Sequence, residues 1–384
     1  FFQFLTDSQG FFYRPGTKIF FSLMYSTFWM NPVAYHVVSL ILHFIVASLF
    51  FLLARKILRN NLIAAVSSIL FLFLSGYSEV IFWVSSIGYL FNAVFTLSSI
   101  LLFARGEEKK KNIYYVLSFL SIILGLFFHE TGIVIPLYIV LYKFTNDENF
   151  KLSSLLKVRY IGIFMTIPLY LAVRLISQSH WFSGDYSYNL IKLPFNFLGN
   201  TIGYFSIVSL GPIAMHIYEP FRTFAKGNAL ITSVLLLFVA VVSVILYKKL
   251  NRKISKEQKR VILFGVLFFV ISLLPFLGLG NITSRYSYLA SLGFILVFAY
   301  LLKELYNYLK VYGRDVSIMS VSIIVAVFSL LHIIQFQQMQ SDWRTAGNKS
   351  KEFFTSINEL YTSSWSTNSI KLHFVDVPIR VGEA

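Results

Sequence analysis

Four short polar stretches interrupt an otherwise apolar chain, and they hold the side chains best suited to chemistry. They are Phe12-Tyr13-Arg14-Pro15, the run from Gly76 to Trp83 with Glu79 inside it, His129-Glu130-Thr131-Gly132, and the run from Asn281 to Tyr288 with Arg285 inside it. Together they offer two carboxylates, two guanidiniums, an imidazole and several phenols. A positioned carboxylate can take a proton from an attacking hydroxyl. A planar guanidinium can hold a phosphate through two parallel hydrogen bonds. Plainer readings stand beside these. An arginine at a membrane interface commonly stretches its head into water, which is the reading expected for Arg174, with contact to a lipid phosphate as its alternative. Glu79 and Glu130 could serve as structural ion pairs. His36 and His43, seven apart, share one helix face and suit hydrogen bonds between helices, since no third residue of the pattern completes a metal site.

The elements that must position these residues are membrane helices. Of 384 residues, 57% are hydrophobic, 13% are charged and 41 are Phe. A water-facing surface needs roughly twice that charge. The apolar residues fall in blocks close to the roughly 20 residues that cross a hydrocarbon core: about 33–53, 62–78, 87–104, 113–128, 132–146, 159–177, 229–247, 261–279, 288–303 and 317–335. These predict an all-α polytopic protein of about ten spans. Five connections hold most of the Lys and Arg, around Arg55 to Arg59, Arg105 to Lys111, Lys143 to Arg159, Lys248 to Arg260 and Lys303 to Arg314. They alternate with basic-poor connections. The excess of basic residues in cytoplasmic loops then places all four chemical stretches on the opposite, extracytoplasmic side. The net charge of +16 records this topology and implies no nucleic-acid partner. Without cysteine, no disulfide or thiolate chemistry is available.

Residues 178–228 must begin and end outside. Gly199, Gly203, Gly211 and Pro212 interrupt the apolar run, while Trp181, Tyr186, Tyr188 and Tyr204 are interfacial types, so a re-entrant or surface-lying helical segment is expected. The membrane domain is read as 1–335, with a first span expected upstream of Phe1. The segment 336–384 reads as a soluble extracytoplasmic αβ tail, with a helix from Ala346 to Leu360 and a strand from Ile370 to Asp376.

In succession these stretches resemble the GT-C glycosyltransferases. The likeness is to the protein O-mannosyltransferase and aminoarabinose transferase branch, and to the transmembrane O-mannosyltransferases that carry tetratricopeptide repeats. The residues that carry it are Tyr13-Arg14-Pro15, Asn31-Pro32, Tyr35-His36 and His43, then Glu79, Val80 and Trp83. His129-Glu130-Thr131-Gly132 stands where the family has Lys-Glu-x-Gly. Arg285 to Leu289, with Ser291 and Gly293, matches an Arg-Tyr-x-Tyr-Leu element, and Phe374 to Pro378 is similar to the strand that opens the soluble domain of bacterial relatives.

The resemblance implies an inverting transfer of a sugar from a polyprenyl-phosphate donor to a protein, lipid or glycan acceptor, outside a membrane that is expected to be a bacterial plasma membrane. Arg14 and Arg285 would hold the donor phosphate. Glu79, Glu130 and Asp7 are the candidate catalytic carboxylates, and Tyr13, Trp83, His129, Tyr286 and Tyr288 the candidate sugar- or acceptor-binding residues. No metal and no cofactor is expected. The family carries an acidic motif well before Tyr-Arg-Pro. Only Asp7 stands there, so the main catalytic aspartate is expected upstream of Phe1. His129 for the family's Lys, and Ser85-Ser86-Ile87-Gly88 for its Arg-containing stretch, are departures. The alternative is a transporter or flippase, against which stand the lack of an internal repeat and the placing of most charges at helix ends.

Overall fold

The computed structural model describes residues 12–177, 179, 188–228, 234, 255–361 and 365. Asp7, Trp181, Tyr186, the block 229–247 apart from Val234, the basic residues Lys248, Lys249, Arg252 and Lys253, and the strand from Ile370 lie outside them.

Thirteen helices and no strand occur among the described residues. They are α1 (Pro15–Phe28), α2 (Pro32–Leu58), α3 (Asn61–Leu72), the short α4 (Ser78–Phe82), α5 (Ile87–Lys109), α6 (Asn112–Phe128) and α7 (Ile135–Asn146). Then follow α8 (Val158–Ile176), α9 (Leu193–Leu210), α10 (Ala214–Gly227), α11 (Lys256–Leu277), α12 (Ser287–Leu309) and α13 (Arg314–Leu360). Local sequence sets their starts. Asn31 and Asn60 cap α2 and α3 by accepting the backbone N–H of Val33 and Ile63, and Ser255 with Gln258 closes a reciprocal capping box on α11.

Successive helices pack as hairpins: α2 on α3, α5 on α6 and α11 on α12. Where α11 crosses α12, a Cβ added to Gly265 would stand 2.8 Å from the Gly293 carbonyl oxygen, and one added to Gly293 would stand 2.5 Å from that of Gly265. The two glycines therefore let the backbones touch, a close approach typical of helices packed in lipid. Between α5 and α6, Asn92 donates to the carbonyls of Gly125 and His129, and Ser118 donates to that of Ser99. Many side chains on the outside of the bundle are apolar, for example Leu40, Ile41 and Phe44 on α2 and Ile161, Met165 and Leu169 on α8. In water such a face would aggregate; against lipid it is at home.

By length and composition six helical stretches can cross a membrane, and seven if the pair α3 and Ser75–Phe82, bent by 55°, counts as one. The protein is an all-α polytopic membrane protein to that extent. Of the ten expected blocks, 113–128 and 132–146 form the shorter α6 and α7, and 229–247 lies outside the described residues. The run 196–218 becomes α9 and α10, neither of which is both long and apolar enough to cross a membrane. They join at Gly211, whose φ of +80 suits glycine and whose added Cβ would meet Gln335 and Ser75 at 2.5 Å. Helix α13 runs through residue 335 without a break.

The bundle has two unlike ends. At one, Glu107 on α5 pairs with Lys143 on α7 at 2.7 Å and Arg159 on α8 at 2.9 Å, while Lys56 pairs with Glu108. There too Arg260 donates to Asn146 and to the Ile57 carbonyl, each at 2.8 Å. This is the basic end. At the other end lie the four chemical stretches.

Candidate functional site

Arg14 stands immediately before α1, whose first residue, Pro15, needs no N–H partner there. Its guanidinium meets Glu130 in a two-point pair, Nε to Oε2 at 2.6 Å and Nη2 to Oε1 at 2.5 Å. Phe12 lies against the guanidinium, 4.1 Å from ring centre to Cζ. Glu130 opens a 3-10 turn (Glu130–Val134) between α6 and α7. That turn is tightly held. His129 Nδ1 accepts the Thr131 N–H and lies 2.9 Å from its hydroxyl, and a Cβ on Gly132 would meet Asn92 at 2.9 Å. A Cβ on Gly88 would stand 2.8 Å from the Phe128 carbonyl oxygen, which also accepts from Thr17. The approach ties α1, α5 and α6 together beneath the pair.

Glu79 sits in α4, between 3-10 turns at Ser75–Tyr77 and Val84–Ser86. Its Oε1 pairs with Arg285 Nη1, and its Oε2 accepts from the Ser284 hydroxyl at 3.0 Å and the Arg285 backbone N–H at 3.2 Å. Arg285 also lies over the rings of Trp83 and Tyr286, at 5.1 and 5.0 Å. The structure thus brings the four charges together as two ion pairs, Arg14 with Glu130 and Arg285 with Glu79.

Between the pairs lies a cavity of about 550 Å³. Arg14, Arg285 and Glu130 line it, and so does Arg174 from α8. Trp83, Tyr89, Tyr170 and Tyr286 form aromatic walls, and Leu171 of α8 faces the apolar Leu274, Pro275 and Phe276 of α11. Among the described residues of this wall, three guanidiniums stand against one carboxylate. Two of them keep donors to spare among the described residues, Nη1 of Arg14 and Nη2 of Arg285. The cavity therefore suits a ligand with an anionic head beside apolar substance.

Burial would lower the Arg14 pKa, but the adjoining Glu130 carboxylate raises it above its ordinary value. For Glu130, burial pushes upward and Arg14 more than reverses it, so the carboxyl is held well below its usual range. Burial and the nearby Arg14 lower His129 to about 3, so its ring is neutral at physiological pH.

The expected residues do not all face the main cavity. Arg174 does not stretch into water: it is 4% exposed and faces the cavity. Tyr13 is 2% exposed and packs on Phe127 and Tyr170, so it supports the wall without lining it. His129, 1% exposed, lies beneath Tyr89 and secures its own turn. Tyr288 is buried with its hydroxyl 2.8 Å from His43 Nδ1, a bond between helices, and does not line the main cavity. Glu79 is behind Arg285, on the wall of a second cavity. Trp83 and Tyr286 do line the main one. Tyr89 and Tyr170 were not singled out from the sequence, because one Tyr among many in aromatic-rich helices carries no distinguishing signal. Among the described residues no three His, Asp or Glu side chains are placed to share an ion. No protein-family model, curated protein or solved structure matches this chain.

Proposed function

We propose that the protein transfers a sugar from a polyprenyl-phosphate donor to an acceptor hydroxyl on the extracytoplasmic side of its membrane. The observation that carries this reading is the cavity wall itself, where Arg14, Arg174 and Arg285 converge beside apolar and aromatic surface. A lipid-linked phosphate has that combination of charge and tail. The arrangement of basic connections favours an outward-facing cavity end, and a bacterial plasma membrane is the proposed location. An enzyme facing away from the cytoplasm needs a donor that the membrane delivers, since nucleotide sugars are cytoplasmic.

In the proposed step the acceptor oxygen bonds to the anomeric carbon as the bond from that carbon to the phosphate oxygen breaks. The electron pair leaves with the polyprenyl phosphate, and the arginines stabilise the charge that grows on it. Direct attack inverts the anomeric centre. The hydroxyl proton passes to a carboxylate. Glu79 and Glu130 already accept from arginines, which makes them poor bases and good holders of those arginines. The base is proposed to be an acidic residue that precedes Tyr13-Arg14-Pro15, a segment in which the sequence has Asp7. The test is to incubate membranes containing the protein with radiolabelled polyprenyl-phosphate sugars. Label appearing in an acceptor supports the reading; label that crosses the bilayer still attached to its lipid overturns it in favour of a carrier.

A further inference from the structure

A second cavity, of about 350 Å³, lies on the far side of the Glu79–Arg285 pair. Among the described residues Arg285 alone lines both cavities, so it stands as the partition between them. The two chambers differ in chemistry. Among the described residues the first carries three arginines, while the second has Arg285 alone and adds the carboxylates of Glu79 and Glu219, with His216 beside them on α10. Ile207, Met215 and Met339 supply apolar wall. The Thr283 hydroxyl oxygen on this wall is buried with no hydrogen-bond partner among the described residues. A buried hydroxyl left unmatched costs free energy that a ligand can recover.

A phosphate would meet two carboxylates here and only one guanidinium, which Glu79 already engages. A neutral ligand rich in O–H groups fits, because carboxylates and a spare Thr hydroxyl are ready acceptors for its protons. The volume falls within the range of small-molecule sites, roughly 300–1,000 Å³. We infer that this second cavity binds the acceptor, a neutral hydroxyl-bearing chain, and presents its hydroxyl to the donor past the Glu79–Arg285 partition. The assignment rests on the transferase reading above and adds the place from which the second substrate arrives.

The experiment uses the full chain in nanodiscs with two variants, Met215→Trp to fill the cavity and Thr283→Val to remove the hydroxyl at nearly constant volume. Two quantities are measured: binding of radiolabelled polyprenyl phosphate, and the acceptor KM with a Ser/Thr-rich peptide and, separately, a neutral oligosaccharide. We expect donor binding within twofold of the wild type, with KM raised tenfold or more by Met215→Trp and severalfold by Thr283→Val. The probe that shows the change identifies the source of the hydroxyl. Weakened polyprenyl phosphate binding with unmoved KM would give the cavity to the donor, and normal KM in both variants would leave it no part in transfer; either overturns the inference while the transferase reading stands. Wild-type protein that binds polyprenyl phosphate yet glycosylates neither probe overturns both.

Discussion

Arg174→Gln removes a cation from the cavity wall while keeping much of the side chain's reach. A hydrogen bond to a charged group is worth about 1.5–3 kcal/mol, so binding of radiolabelled polyprenyl phosphate should weaken about tenfold or more. Unaltered binding would take Arg174 out of the donor site. A second expectation concerns pH. The unfolded chain takes up a proton on His129 near its ordinary 6.5, whereas the folded protein refuses it until about 3. Its contribution to stability is full above about pH 6.5 and declines below that, by at most about 1.4 kcal/mol per pH unit. Glu130 behaves otherwise: its contribution is present above its ordinary 4.5 and is lost only as pH falls through its lower folded value. Between pH 7 and 5, then, His129 is the member of this turn that matters, facing Arg14, Glu130, Thr131 and Tyr89. The melting temperature in detergent should fall over that interval, and less steeply in His129→Asn, which keeps an acceptor for the Thr131 N–H. Equal slopes would assign the proton elsewhere. Arg14, Glu79, Glu130 and Arg285 were legible because isolated charges in an apolar chain must be there for a reason. Arg174 was left between water and a lipid phosphate, since a lone arginine near a helix end looks the same whether it reaches for water or turns inward.

At the scale of elements, α13 holds the loop that carries Glu79. His332 Nδ1 accepts the Ser75 N–H at 3.2 Å and lies 2.9 Å from its hydroxyl. One turn further on, Gln335 accepts from the Ile213 N–H and donates to the Leu210 carbonyl, clasping the α9–α10 corner. Phe336 packs on Phe82, and Met339 receives the Ser78 hydroxyl. These residues recur at the spacing of one helix face. His332→Leu should lower the transfer rate constant severalfold while polyprenyl phosphate binding holds. His332→Asn, whose side-chain oxygen can stand where Nδ1 does, should restore most of it. If Asn rescues no better than Leu, the ring fills space and does not aim the loop. The hydropathy blocks anticipated most helices because lipid imposes a length on each. Nothing in a one-dimensional pattern reveals that α13 grips two loops, since that depends on which face of a long helix meets them.

For the whole molecule, sidedness governs the reading. The chain has no cysteine, so single cysteines can be introduced without background. Lys110→Cys at the basic end and Tyr188→Cys at the cavity rim should react with a membrane-impermeant maleimide from opposite faces of intact cells, Tyr188→Cys from outside. Labelling of both from one face would reject the topology, and labelling of Tyr188→Cys only from within would place the cavity in the cytoplasm. The charge pattern made the two ends legible from sequence. The division of the cavity end into two chambers was not, because it depends on the direction of a single guanidinium.

Helix α13 spans 47 residues, about 70 Å at 1.5 Å per residue, and its last buried side chain is Met339. From there to Leu360 it reaches roughly 30 Å further as one helix. A stiff rod of this kind conveys bearing as well as distance. Each added residue would turn whatever follows Leu360 by about 100°, so two would face it nearly backwards and seven would return it almost to its first heading, only about 10 Å farther away. His332, Gln335 and Met339 fix the zero of that compass.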